Sequence, residues 1–139
     1  MTPSKIYQAK CTAGDIERDA LQLAVLSVFD RIALELTQEL AKRSSVLGLL
    51  RKPKTVPGLY LWGGVGIGKT FLLDCFYASL PFPNKHRIHF HAFMREIHAG
   101  LKRHQGEVNP LKFIAQDMAK HYCVLCFDEF VVNDIADAM

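Results

Sequence analysis

The sequence lacks any run of about eighteen apolar residues, so no membrane-spanning helix is expected. Its first residues, Met1-Thr2-Pro3-Ser4-Lys5, lack the apolar core of a signal peptide. Strong charge of either sign is missing too. A net charge of +3 does not by itself argue for a nucleic-acid or membrane partner. A cytoplasmic location is therefore the expectation. Cysteine is sparse, and the four thiols suggest no disulfide framework. Cys123 and Cys126 form a C-x-x-C, which elsewhere signals zinc or redox chemistry. Here they lie in the apolar run Cys123-Val124-Leu125-Cys126-Phe127, which reads as a buried strand. Residues three apart on a strand face opposite ways, so these are expected to be core thiols and not a ligand pair.

Half of the residues are apolar, which excludes a disordered chain and supports one domain with a real core. The most informative stretch is Gly58-Leu59-Tyr60-Leu61-Trp62-Gly63-Gly64-Val65-Gly66-Ile67-Gly68-Lys69-Thr70. From Gly63 to Thr70 it fits G-x-x-x-x-G-K-[ST], the phosphate-binding P-loop. Phosphates need several backbone N–H groups converging on one point. Gly63, Gly64, Gly66 and Gly68 keep side chains out of that approach, with Val65 and Ile67 between them. Lys69 supplies a point charge for the β- and γ-phosphates, and Thr70 offers a hydroxyl to Mg²⁺. The apolar residues Gly58 to Trp62 read as a strand and Phe71 to Leu80 as a helix, the context this motif requires. The expected ligands are therefore ATP and Mg²⁺.

Before this stretch, Pro3 to Gly14 reads as a polar lead-in. A helix is expected from Asp15 to about Ala41, with Ile16, Ala20, Leu23, Ala24, Ser27, Ile32 and Leu36 at helical spacings, although apolar residues wrap widely round it. Asp15, Glu17 and Asp19 suit its start and Lys42 and Arg43 its end. Lys42 to Pro57 reads as a basic linker, either a solvated connector or a surface for acidic groups. Residues 1–57 are thus expected to form an N-terminal helix and linker packed on a core of residues 58–139.

Beyond the motif, Pro81-Phe82-Pro83-Asn84 marks a turn. Arg87-Ile88-His89-Phe90-His91-Ala92-Phe93 alternates with period two and predicts a second strand with His89 and His91 on one face. No further ligand spacing supports a metal there. Met94, Ile97 and Leu101 predict a short helix ending before Gly106. Asn109-Pro110 then reads as a helix start with Asn as the capping residue. A third strand, Cys123 to Phe127, runs into Asp128-Glu129. An apolar strand ending in two carboxylates about sixty residues after a P-loop is the Walker-B arrangement. Asp128 is the expected Mg²⁺ ligand and Glu129 the base that orients and deprotonates the attacking water. Asn133 looks like the cap of one more helix.

Taken together, Gly58 to Gly66, Arg87 to Met94, Leu125-Cys126-Phe127-Asp128-Glu129-Phe130 and Asp134 to Met139 resemble the ZapE/Afg-like ATPases of the AAA+ class. The lead-in residues Pro3, Tyr7, Gly14, Asp19 and Gln22 extend the resemblance over nearly the whole chain. It implies an α/β P-loop NTPase: a parallel sheet in the order five-one-four-three-two with flanking helices. It also implies ATP hydrolysis, with Lys69 and Glu129 as catalytic residues. Bacterial members are cell-division ATPases linked to the FtsZ ring, and mitochondrial relatives act in protein quality control. The bacterial reading fits better, with a homo-oligomer as the expected full-length state. Ile67 stands where the family usually has arginine, and Val131 also departs from the pattern. Family members continue past residue 139 with a sensor strand and an arginine finger, so a C-terminally truncated core is the expectation. The rival readings are a helicase-loader-type ATPase, which DNA-stimulated turnover would favour, and a non-catalytic fragment that binds nucleotide or a partner.

Overall fold

The computed structural model describes residues 1–50, 52, 54–61 and 68–128. The chain divides into two units, Met1–Pro81 and Phe82–Met139. The first unit is helical among its described residues. It opens with α1, Pro3–Thr12, where a polar lead-in was expected. Thr2 caps this helix by accepting the Lys5 N–H at 3.2 Å, and Pro3 occupies its first turn. That pair is a helix-start signal in the sequence, obscured by the polar residues after it. Pro3 and Tyr7 turn inward and are buried.

The long helix α2 spans Ala20–Arg43. Its cap is Asp19, whose carboxylate accepts the N–H groups of Leu21 and Gln22, so it begins several residues later than the sequence suggested. Its buried stripe is Leu26, Phe29 and Ile32, whereas Ala24 and Ser27 are exposed. Apolar residues lie all round this helix, so periodicity alone could not choose the face. The choice comes from outside it: Phe29 stacks on Phe76 at 4.7 Å. Below that stripe Glu39 is buried and accepts the backbone N–H of Lys54 at 2.9 Å. The Arg31 guanidinium reaches the Pro57 carbonyl at 3.4 Å. The basic linker, which includes one 3-10 turn at Gly48–Leu50, is thereby strapped along α2.

Gly58 to Leu61 do not form a strand, and Trp62 lies outside the described residues. A strand exists through its ladder partners, and the described pairings do not reach this segment. The helix α3, Lys69–Ser79, follows and buries Leu72, Cys75, Phe76 and Ser79 against α1 and α2.

The second unit is built on β1, Lys85–His89, and β2, Val124–Asp128, which pair in parallel with Arg87 opposite Cys126 and His89 opposite Asp128. Two helices make the crossover between them, as parallel strands require: α4, Phe90–Arg103, and α5, Pro110–His121. These strands are the second and third of the sequence reading, and their adjacency is the one the resemblance implied. The second strand is shorter than its alternation suggested. His89 ends β1 and caps α4, and His91 lies on the helix, so the two histidines do not share a strand face. Phe90, Phe93 and Ile97 also fit a helical stripe, and that stripe prevails because Phe90 and Phe93 both meet Phe127 edge-on, at 6.0 and 4.6 Å. Gly100 lets α4 approach α5 closely: a methyl group on it would sit 3.0 Å from the Ile114 side chain. Asn109 does precede Pro110 at the start of α5, but with left-handed φ of 59° and no side-chain capping bond.

Candidate functional site

The sequence assigns chemistry to two places, and the structure sets each in its own unit. In the first unit, Gly68 precedes α3 with φ 69° and ψ 29°. This left-handed geometry is cheap for glycine and strained for other residues. Its carbonyl accepts the Leu72 N–H at 3.0 Å and so begins the helical ladder. Lys69 and Thr70 open the first turn of α3, two residues earlier than the sequence reading began this helix. The first N–H groups of a helix have no partner within it, and they carry the positive end of its dipole. Lys69 is half-buried and Thr70 exposed. Gly63, Gly64, Val65, Gly66 and Ile67 lie outside the described residues.

This end of α3 is backed by buried aromatic and polar groups. Phe71 tilts against Tyr7 with ring centroids 6.1 Å apart. The Tyr7 hydroxyl accepts the Asp19 N–H at 3.0 Å and donates to Gln22 Oε1 at 2.8 Å. Gln22 in turn lies over Gly68, since a methyl group on that glycine would fall 2.5 Å from Nε2. The sequence reading used Tyr7 and Gln22 only as marks of resemblance.

In the second unit, Asp128 ends β2, as expected of the acidic strand end, and its side chain is 13% exposed. Phe127 packs into the Phe90–Phe93 cluster beside it. The sequence reading missed its partner: Arg87 Nε donates to Asp128 Oδ2 at 2.7 Å. Arg87 sits on β1 one pair before the His89–Asp128 position, so register delivers it. The signal was present as a cation on the neighbouring strand, but it needs the register to be read. Two positions earlier on β2, Cys126 is 3% exposed. Burial pushes its thiol up to about 11, with the Asp128 carboxylate adding to the rise and Arg87 opposing it. Burial likewise raises the Cys75 thiol, on α3. Cys123 donates its thiol proton to the Asn84 carbonyl at 3.0 Å. Glu129 and Asn133 lie outside the described residues.

Thr70 and Asp128 present hydroxyl and carboxylate oxygens, the hard donors that Mg²⁺ takes, so their chemistry fits this ion. Among the described residues no cluster of three or more His, Cys, Asp or Glu side chains forms a separate metal site. An apolar groove among α4, α5 and β2, lined by Phe93, Ile97, Ile114, Met118 and Leu125, has no charged side chain among the described residues of its walls. A polyphosphate would find no counter-charge there. No described helix is long and apolar enough to cross a membrane.

The model of the AFG1-like ATPase family matches residues 1–139. The chain belongs to that family. It is 40% identical to the cell division protein ZapE of Escherichia coli strain K12, in an alignment that covers 100% of this chain and 40% of that protein. It is 36% identical to an uncharacterised protein of Schizosaccharomyces pombe, over 99% of this chain and 38% of that one. A lactation elevated protein 1 homolog of Danio rerio is 40% identical over 63% of this chain and 20% of its own length. The chain thus spans about 40% of the length of the first of these relatives. No solved structure matches it.

Proposed function

We propose that this chain carries the nucleotide-binding part of an AAA+ ATPase, with Gly63 to Thr70 as its phosphate loop. The observation that carries the reading is the left-handed Gly68 leading straight into Lys69-Thr70 at the start of α3. A turn of this kind exposes helix N–H groups to an anion and sets a lysine beside them. Family membership over the whole chain supports the same reading. In it, Lys69 neutralises the β- and γ-phosphates. Thr70 and Asp128 hold Mg²⁺, which when bound supplies charge neutralisation of the phosphates. Glu129 accepts a proton from the water that attacks the γ-phosphorus. Residues 1–57 act as a packing layer on the core that starts at residue 58, supported by the burial of α3 against α1 and α2.

The name of the Escherichia coli relative supports a role in cell division for the whole protein; the proposal extends this to the FtsZ ring as client, a homo-oligomeric state and a cytoplasmic location. The reading is tested by phosphate release from Mg-ATP in the intact protein. Glu129→Gln is expected to keep nucleotide affinity and slow turnover by about 10²–10⁴-fold. Lys69→Ala is expected to weaken binding by about ten- to a hundredfold, the worth of a charge-assisted contact. Wild-type affinity and wild-type turnover in Lys69→Ala would overturn the assignment.

A further inference from the structure

We propose that Gln22 is a positioning residue for the phosphate-binding turn, and that Tyr7 fixes which way its amide faces. The proposal rests on the reading of Gly63 to Thr70 as a nucleotide site. Tyr7 is fully buried. Its hydroxyl accepts the Asp19 N–H at 3.0 Å, and a phenol has one proton left to give. Two acceptors lie within reach of that proton, Gln22 Oε1 at 2.8 Å and the Glu17 carbonyl at 3.4 Å; the shorter bond goes to Gln22 and turns its carbonyl oxygen Oε1 toward Tyr7. The orientation of the amide follows from this network. Its Nε2 is directed away from Tyr7, and on that side lies Gly68.

Gly68 is where the turn needs support. Glycine takes positive and negative φ about equally well, so the residue that makes the turn possible does not by itself hold it. Its φ of 69° aims the N–H groups that open α3. The Gln22 amide covers the α-carbon of Gly68 so closely that a methyl group there would collide at 2.5 Å. The amide therefore borders Gly68 on the side that faces Gln22 and limits movement in that direction. The support is itself anchored. Ser4 bonds Asp30 of α2 through both its N–H, at 3.0 Å, and its hydroxyl, at 2.5 Å, which holds α1 and therefore Tyr7 in place. The N-terminal helix thus acts on nucleotide affinity through Gln22.

The test is the affinity of the intact protein for a fluorescent ATP analogue and for GTP, with melting temperature read in parallel. Wild type is compared with Tyr7→Phe, Gln22→Ala, their double variant and Lys69→Ala. Tyr7→Phe keeps the ring and frees the amide to turn. Each single variant is expected to weaken ATP binding about three- to tenfold. The double variant is expected to match Gln22→Ala alone, because Tyr7 acts through Gln22; the bond they share is lost in either single variant and cannot be lost twice, so melting temperature in the double variant falls by less than the sum of the two. Unchanged affinity in both single variants beside a clear loss in Lys69→Ala would overturn the positioning role and leave the nucleotide site standing. Additive affinity losses would overturn the Tyr7 link. A changed preference between ATP and GTP in Gln22→Ala would overturn positioning in favour of direct contact with the base. No loss in Lys69→Ala would remove both readings together. Should Gln22→Ala fail to fold, Tyr7→Phe decides alone, and wild-type affinity there overturns the proposal.

Discussion

The start of α3 and the end of β2 are held by different physics. Around the start of α3, three helices bury Tyr7, Leu26, Phe29, Leu72 and Phe76, and the polar atoms of Tyr7 and Gln22 are matched inside that packing. At the end of β2, among the described residues, Asp128 sits on a two-stranded ladder and is held by an ion pair from the neighbouring strand. The first arrangement spreads its constraint over many contacts. The second concentrates it in the Arg87–Asp128 distance. A glycine turn has no side chain to anchor it and needs surrounding packing. A carboxylate carries its own handle, and one well-placed cation can orient it. This contrast predicts that damage at the two ends will differ in size and kind.

The largest effect is expected from Phe76→Ala. Phe76 is 3% exposed and stacked on Phe29, and its loss should cost about 3–5 kcal/mol in denaturant unfolding of the first unit. A cost under about 1 kcal/mol would mean that the start of α3 does not depend on this cluster.

Arg87→Gln should cost less, about 1–3 kcal/mol, by leaving the Asp128 carboxylate without its cation on a side chain that keeps some solvent access. Its effect should vanish in an Asp128→Asn background, read as a double-mutant cycle. Equal losses in both backgrounds would show that Arg87 acts through other contacts.

The smallest effect separates the thiols. With the Cys126 thiol pushed up to about 11, only about one molecule in a thousand carries the thiolate at pH 8. Maleimide should therefore modify the half-buried Cys11 and Cys123 well before Cys126. The folded thiol is more basic than the ordinary value of 9.0, so burial of its neutral form favours folding below pH 9. That contribution is lost as pH rises from 9 to about 11. A stability curve flat across this window in wild type but sloping in Cys126→Ser would contradict the assignment.

What the sequence made legible follows the same division. A glycine turn opening a helix near Lys69 and Thr70 was readable because such a turn is written in consecutive residues, and the strand end at Asp128 because the apolar run stops there. The adjacency of the two strands was reachable through resemblance. Three features were not readable. The helix at Pro3–Thr12 has a capping threonine and a proline, but its face is two residues, Pro3 and Tyr7, too few to register as a period. The buried stripe of α2 is selected by Phe76, far away in sequence. The Arg87–Asp128 bond joins residues 41 apart and exists only because Arg87 is paired beside Cys126 in this register. His91 misled for a related reason: alternation and helical spacing overlap across Arg87 to Phe93, and the Phe127 ring decides between them.

The central claim is that the residues opening α3 receive the phosphates. The most direct measurement is a titration of ¹⁵N-labelled intact protein with Mg-ATP, following backbone amide resonances. The account predicts saturable shifts that are largest at Gly68, Lys69 and Thr70, that persist with Mg-ADP, and that disappear in Lys69→Ala. Saturable nucleotide binding that leaves these three amides unmoved while shifting residues elsewhere would contradict it.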